Sequence, residues 1–203
     1  MLVLRNDGAI LRDFAESDIA DHIRWETVET DWKLWDAPWE HEGKTDGERT
    51  AELAEDIERM RGWVERNKTL ADDVHRTKFE VCLADASDPL RATHVGSCAT
   101  YRIDDDFNIA EGGPHCALGI DINDPAARRR GCATAALRLL IDYLFGLGEP
   151  AVYCQTWSGN VRMIGLAEKL GFQECCRKPG IRLVRGGCYD GLTFVLRCGG
   201  FRP

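Results

Sequence analysis

No stretch of the 203-residue chain approaches the ~20 consecutive apolar residues of a membrane-spanning helix, so no α-helical span is expected. The opening Met1-Leu2-Val3-Leu4-Arg5 is too short, with its charge on the wrong side, for a secretory leader. Although nine cysteines are present, none forms a Cys-x-x-Cys pair, and the five histidines are scattered without ligand spacing to them. Neither a disulfide framework nor a metal site is expected. Five of the cysteines, Cys82, Cys98, Cys116, Cys154 and Cys198, fall in predicted strands and read as small buried hydrophobes. An odd cysteine count without a secretion signal fits a reducing, cytoplasmic setting. Nucleotide loops are missing too: no Gly-Lys-Ser/Thr follows the arginine-glycine stretch at 128–131, and that stretch is not a G-x-G-x-x-G loop. The acidic run Asp104-Asp105-Asp106 lacks the glycine and distal glutamate of a calcium-binding loop. Positive charge is in deficit, with Lys and Arg at 26 against Asp and Glu at 34 and a net charge of −8. That balance argues against general nucleic-acid binding and suits a cationic partner such as an amine.

What the chain does have is concentrated between residues 116 and 144. Cys116-Ala-Leu-Gly-Ile-Asp-Ile122 reads as a buried strand ending in the turn residues Asn123, Asp124 and Pro125. Beyond it, Ala133, Ala136, Leu137, Leu140, Ile141 and Leu144 recur with the spacing of one helical stripe. Between strand and helix stand Arg128, Arg129, Arg130, Gly131, Cys132, Ala133 and Thr134. A helix start offers unpaired N–H groups and the positive end of a dipole. Small residues let a bulky anion reach those donors, and three arginines flank them, so the strand-loop-helix reads as a phosphate site.

The arrangement Arg128-x-x-Gly131-x-Ala133 resembles the acyl-CoA pyrophosphate loop of the GNAT acetyltransferase superfamily. A second block, Gln155-Thr-Trp-Ser-Gly-Asn160 followed by Glu168-Lys-Leu-Gly-Phe172, is similar to the family's Asn, short helix and closing motif in the same order. The resemblance covers about residues 93–198. It implies one α/β (α+β) domain over residues 1–203, with a central mixed, mostly antiparallel sheet flanked by helices. Its coenzyme-binding core would be about 93–198, and residues 1–92 would shape the acceptor side. The implied activity is transfer of acetyl from acetyl-CoA to a primary amine. A protein N-terminus, a polyamine or an aminoglycoside would all serve as that small-molecule or peptide acceptor, and the likeness leans loosely toward the branch of ribosomal-protein N-terminal acetyltransferases. The alternative is a non-catalytic acyl-CoA-binding module. Neither nucleic acid nor membrane is implied as a partner, and a homodimer is compatible with an exposed part of the tryptophan-rich segment described next.

Ahead of the core, Gly8–Phe14 reads as the first strand, and Glu16-Ser-Asp18 opens a helix to about Glu26. Trp25, Trp32, Trp35 and Trp39 follow closely, interleaved with Asp31, Asp36, Glu40 and His41 and broken by Pro38. As filler, these indoles plug a loop over the core. As a site, Trp32, Trp35 and Trp39 with Asp36 and Glu40 form an acceptor pocket, since cations favour aromatic faces and negative charge. Asp46–Arg66 reads as an imperfectly amphipathic helix with a solvated charged face. Lys78–Ala84 with Thr93–Tyr101 reads as a hairpin, Ala151–Trp157 as a strand, and Phe172–Arg177 with Tyr189–Leu196 as a closing pair interrupted by Pro179-Gly180.

Thioester aminolysis needs a neutral amine, donors for a developing oxyanion, and a thiolate leaving group, which at pKa ~8.5 departs without an obligatory acid. The resemblance assigns the donors to the backbones of Ile120 and Ile122 and places Asn160 beside the coenzyme. It also implies a tyrosine acid where this chain has Ala167, and a glutamate where it has Ala117. A side-chain base must then come from His115, Asp121, Asp36 or Glu40, or proton removal runs through water.

Overall fold

The computed structural model describes residues 1–200. Eight strands form one sheet: β1 (Val3–Arg5), β2 (Ile10–Arg12), β3 (Lys78–Cys82), β4 (His94–Ile103), β5 (His115–Ile122), β6 (Ala151–Trp157), β7 (Gln173–Val184) and β8 (Gly187–Arg197). Their order is β1-β2-β3-β4-β5-β6-β8-β7, and every neighbouring pair is antiparallel except β5 and β6. Four α-helices accompany them: α1 (Asp18–Thr27), α2 (Asp46–Thr69), α3 (Cys132–Gly146) and α4 (Val161–Lys169). Among the described residues, no helix is long and apolar enough to cross a membrane.

The main core lies between the sheet and the pair α3 and α4. Ala136, Leu137, Leu140, Ile141 and Leu144 of α3 pack on Leu11, Val81, Leu118 and Val152, all fully or almost fully buried. Burying each such side chain contributes roughly 1.5–3 kcal/mol. The opposite face carries α1 and α2, held by a small cluster of Phe14, Met60 and Val64 and by buried polar pairs. Arg12 grips Asp18 through two hydrogen bonds of 2.6 Å, and Arg76 donates from Nε to Asp13 at 2.9 Å. Helix α2 begins in a reciprocal cap between Thr45 and Glu48, and its long charged face is exposed.

Three expectations need correction. Val3–Arg5 is a strand, paired with β2 across a turn in which the Asn6 Oδ1 accepts from the N–H groups of Gly8 and Ala9. Pro179-Gly180 does not separate two strands. Both lie within β7, whose register slips between Lys178 and Arg182, and the hairpin turns instead at Arg185-Gly186, both with positive φ. Cys198 falls past the end of β8 in a short 3-10 turn and is exposed, because its strand has already run out. The other four named cysteines are buried in strands.

Candidate active-site cleft

The parallel pair β5 and β6 makes the site. Their pairing begins at Cys116↔Val152 and ends at Leu118↔Cys154, yet both strands continue for three or four residues more. Beyond Leu118, β5 keeps β4 on one edge, through Gly119↔Ala99 to Ile122↔Gly96, and faces an open gap on the other. A cavity of about 450 Å³ fills that gap. It lies at the carboxyl ends of two parallel strands, where open sheets generally bind ligands.

One wall is Gly119, Ile120, Asp121 and Ile122, and another is the start of α3, with Arg128, Arg129 and Ala133. Gly131 caps α3 at φ +87°, a left-handed conformation that suits glycine, and no side chain caps the helix. The first intrahelical bond is from Ala135 N–H to the Gly131 carbonyl, which leaves the amides of Cys132, Ala133 and Thr134 as first-turn donors. Cys132 itself is buried in the core, and Ala133 rather than Cys132 turns its side chain to the cleft. Arg128 lines the cavity but spends much of its guanidinium inward, donating to the carbonyls of Ile122 at 3.0 Å and Asn123 at 2.8 Å. Arg129, in left-handed conformation, lines the cavity, whereas the exposed Arg130 and the half-buried Thr134 lie outside its lining.

Helix α4 supplies the third wall with Asn160, Arg162, Met163 and Leu166. Asn160 caps this helix through Oδ1, which accepts from Met163 N–H at 3.1 Å, while its Nδ2 donates to the Trp35 carbonyl at 3.0 Å. Trp157 Nε1 donates to the same carbonyl at 2.9 Å. The tryptophan-rich segment, coiled into short 3-10 turns at Thr30–Leu34 and Pro38–Glu40, is thereby fastened across the cleft. Its indoles divide between the two readings. Trp25 is core, Trp32 and Trp35 line the cavity, and Trp39 lies over Arg182 of β7, 4.3 Å from guanidinium to ring.

Arg162, which the sequence did not single out, stacks its guanidinium 4.0 Å over the Trp35 ring. Its pKa is lowered, first by burial and then by the positive charges of Arg128 and Arg129. Three arginines in one cleft concentrate positive potential there, a field that suits an anion. The signal in the sequence was only that residue 162 falls on the first turn of a helix beside the loop.

The cleft's acidic feature is a pair. Asp121 projects from β5 and Asp36 from the tryptophan-rich segment, and both line the cavity close enough to perturb each other's ionisation. Asp121 is raised well above the carboxylate range by burial and by Asp36, with Lys78 and Arg128 opposing. Asp36, crowded by protein yet open to solvent on one side, is raised by burial and by Glu40. Of the two, Asp121 is raised further and favours its protonated form more. Gly96 helps to place it, since a Cβ there would meet the Asp121 carbonyl oxygen at 1.9 Å.

His115 lies elsewhere. It starts β5, at the far end from the gap, stacks near Tyr153 and Phe107, and its Nε2 is 3.0 Å from Asp105. A second cavity of about 940 Å³ adjoins the first, sharing Trp32 and Asp36, and Glu40 lines it. Its walls hold seven carboxylates against three cations. Two of those cations are already paired, Lys33 with Glu26 and Lys44 with Glu52.

A sequence profile described as an acetyltransferase (GNAT) domain matches residues 9–173. The chain belongs to the GNAT acetyltransferase family. Solved structures share its fold. The ribosomal-protein-S5-alanine acetyltransferase from Vibrio fischeri superposes with a TM-score of 0.66 at 14% identity, over 100% of both chains. RimL, a ribosomal L7/L12 alpha-N-protein acetyltransferase in complex with coenzyme A, gives 0.66 at 12% identity over 96% of this chain and 97% of its own. The microcin C7 self-immunity acetyltransferase MccE, in complex with acetyl-CoA and AMP, gives 0.63 at 13% over 95% and 93%. No curated protein matches the sequence.

Proposed function

We propose that this GNAT protein transfers acetyl from acetyl-CoA to a primary amine that carries further positive charge. The observation that carries the reading is the Asp36–Asp121 pair at the junction of an arginine-lined cleft and an acidic cavity. When bound, acetyl-CoA supplies a thioester whose acetyl carbon accepts the amine. Arg129, Arg162 and the first-turn amides of α3 hold its phosphates, with Arg128 bracing the loop from behind. The free edge of β5 at Gly119–Ile122 offers main-chain groups to the coenzyme's amide arm and, through Ile120 or Ile122, an N–H toward the carbonyl oxygen.

The acceptor enters through the larger cavity, whose excess carboxylates concentrate cations. Asp36, the more exposed and less strongly raised member of the pair, takes a proton from the amine, and Asp121 holds the proton that fixes Asp36 in place. Asn160 contributes by positioning, since both halves of its amide are engaged by the backbone. A purely coenzyme-binding module would need no such carboxyl pair.

Thiol release from acetyl-CoA, followed by mass spectrometry because the protein has nine cysteines of its own, tests this reading against free-N-terminus peptides, polyamines and aminoglycosides. Release should require an amine and favour dicationic acceptors. It should vanish in an Arg129→Glu, Gly131→Asp variant. Coenzyme binding without turnover on any amine would establish the binding module instead.

A further inference from the structure

On the other side of Asp121 from the cleft, the strand registers align Arg12, Glu80, Ser97 and Asp121 in one row across β2 to β5. Glu80, in the middle of that row, has no exposed surface. Its Oε2 faces two imidazoles at once, His22 Nε2 of α1 at 2.9 Å and His94 Nε2 of β4 at 2.9 Å. Its other oxygen, Oε1, is buried without a hydrogen-bond partner, the Lys78 ammonium being 3.7 Å away. An orphaned carboxylate oxygen in a closed interior is costly unless a charge satisfies it.

We propose that His22, Glu80 and His94 form a binding site for a divalent transition-metal ion, zinc by the chemistry of the donors. The ligand atoms of the three residues lie within 4.8 Å of one another. Four ligands at zinc's usual bond lengths sit about 3.3 Å apart, so modest spreading of the 2.9 Å contacts admits the ion. Two imidazoles and one carboxylate are a known zinc donor set that leaves a fourth position open. The outer shell is in place as well: His94 Nδ1 lies 3.1 Å from Asp21 Oδ2, the carboxylate–histidine arrangement that orients a metal-binding imidazole. Trp25 packs on both rings, with centroids 4.8 Å from His94 and 5.3 Å from His22, and gives the site an apolar wall. His22, the more accessible of the three, marks the side of entry.

From the sequence no metal is expected, because the five histidines are scattered without ligand spacing to the cysteines. A bulge brings them together. The register of β3 on β4 passes from Val81↔Gly96 to Cys82↔His94, so Val95 is the extra residue and His94 turns to the face of Glu80. The ion would join α1 to β3 and β4. Trp32 Nε1 donates to the Trp25 carbonyl in the same helix, so the joint would also steady the tryptophan wall of the cleft.

The test uses the full chain, stripped with chelator, alkylated at its accessible thiols and titrated with Zn²⁺ and, separately, Co²⁺. The expected result is one ion per chain, a raised Tm with Zn²⁺, and a tetrahedral visible spectrum with Co²⁺ that lacks a thiolate charge-transfer band. His22→Gln, at the least buried ligand, should weaken binding at least tenfold while the apo protein stays folded, and Glu80→Gln should do the same. No stoichiometric binding by the wild-type chain would overturn the proposal and leave a hydrogen-bonded histidine pair. So would binding that survives His22→Gln or shows sulfur ligation.

Discussion

Asp36, Asp121 and Gly131 show how much of the site rests on single residues. Asp36→Asn keeps a side chain of the same shape but removes the carboxylate proposed to take the amine's proton, which Asp121 holds in place. Mutations of positioned acid–base groups typically cost ~10²–10⁴ in rate, and a loss of about 10²–10³ in kcat is expected here with little change in acetyl-CoA affinity. The pH dependence has a definite sign. Burial and Asp36 raise Asp121, so the pair gains its second negative charge only above the ordinary carboxylate range. The rate should therefore fall as pH climbs through the raised Asp121 value and the proton that fixes Asp36 is lost, and Asp121→Asn should remove that falling limb. Stability follows linkage: a raised native carboxyl stabilises while protonated, and its contribution disappears as pH climbs through the raised value. Asp121→Asn should gain on the wild type in thermal denaturation at alkaline pH. At Gly131, a side chain meets open space but must adopt φ +87°. Gly131→Ala should lower stability by about 1–3 kcal/mol and weaken coenzyme binding, as calorimetry would register.

At the scale of elements, the decisive contacts join segments distant in sequence. The Trp35 carbonyl, held by both Trp157 and Asn160, ties the N-terminal part to α4. Asn160→Ala should cost about 1 kcal/mol as a lost cap, and freeing the Trp35 segment should raise KM for the acceptor more than for the coenzyme. The buried Arg12–Asp18 pair fixes α1 to β2, and Asp18→Asn should destabilise by about 3–5 kcal/mol in denaturant titration, because it leaves Arg12 without its counter-charge. These joints also mark the limit of what was legible. Strands β5 and β6 and the apolar face of α3 followed from hydrophobic period and turn residues, and Gly131 followed from the small-residue helix start. Strand β1 was not visible, because three residues hold no period. The bulge at Val95, the partnership of Asp36 with Asp121 and the stacking of Arg162 on Trp35 were not visible either. Each depends on where two remote segments meet, and local pattern carries no such information. His115 was attractive as an imidazole near the central strand, but it begins the strand at the end opposite the gap.

Across the whole molecule, charge is sorted by site. A net charge of −8 coexists with three arginines around one cleft and an excess of carboxylates around the adjoining cavity. In the proposed reaction an anionic coenzyme and a cationic acceptor would meet opposite fields on either side of Asp36. Raising salt should increase KM for a dicationic acceptor more than for a monocationic one, since exposed attraction is screened over ~8–10 Å. The account's central claim is that the two carboxyls at this junction serve amine acetylation. Its most direct test is amine-dependent release of coenzyme A by the wild type and by Asp36→Asn, across pH, with acetyl-CoA affinity measured in parallel. The account predicts turnover in the wild type and a loss of about a hundredfold or more in the variant at unchanged affinity. Equal rates in the two proteins, or affinity without turnover in either, would contradict it.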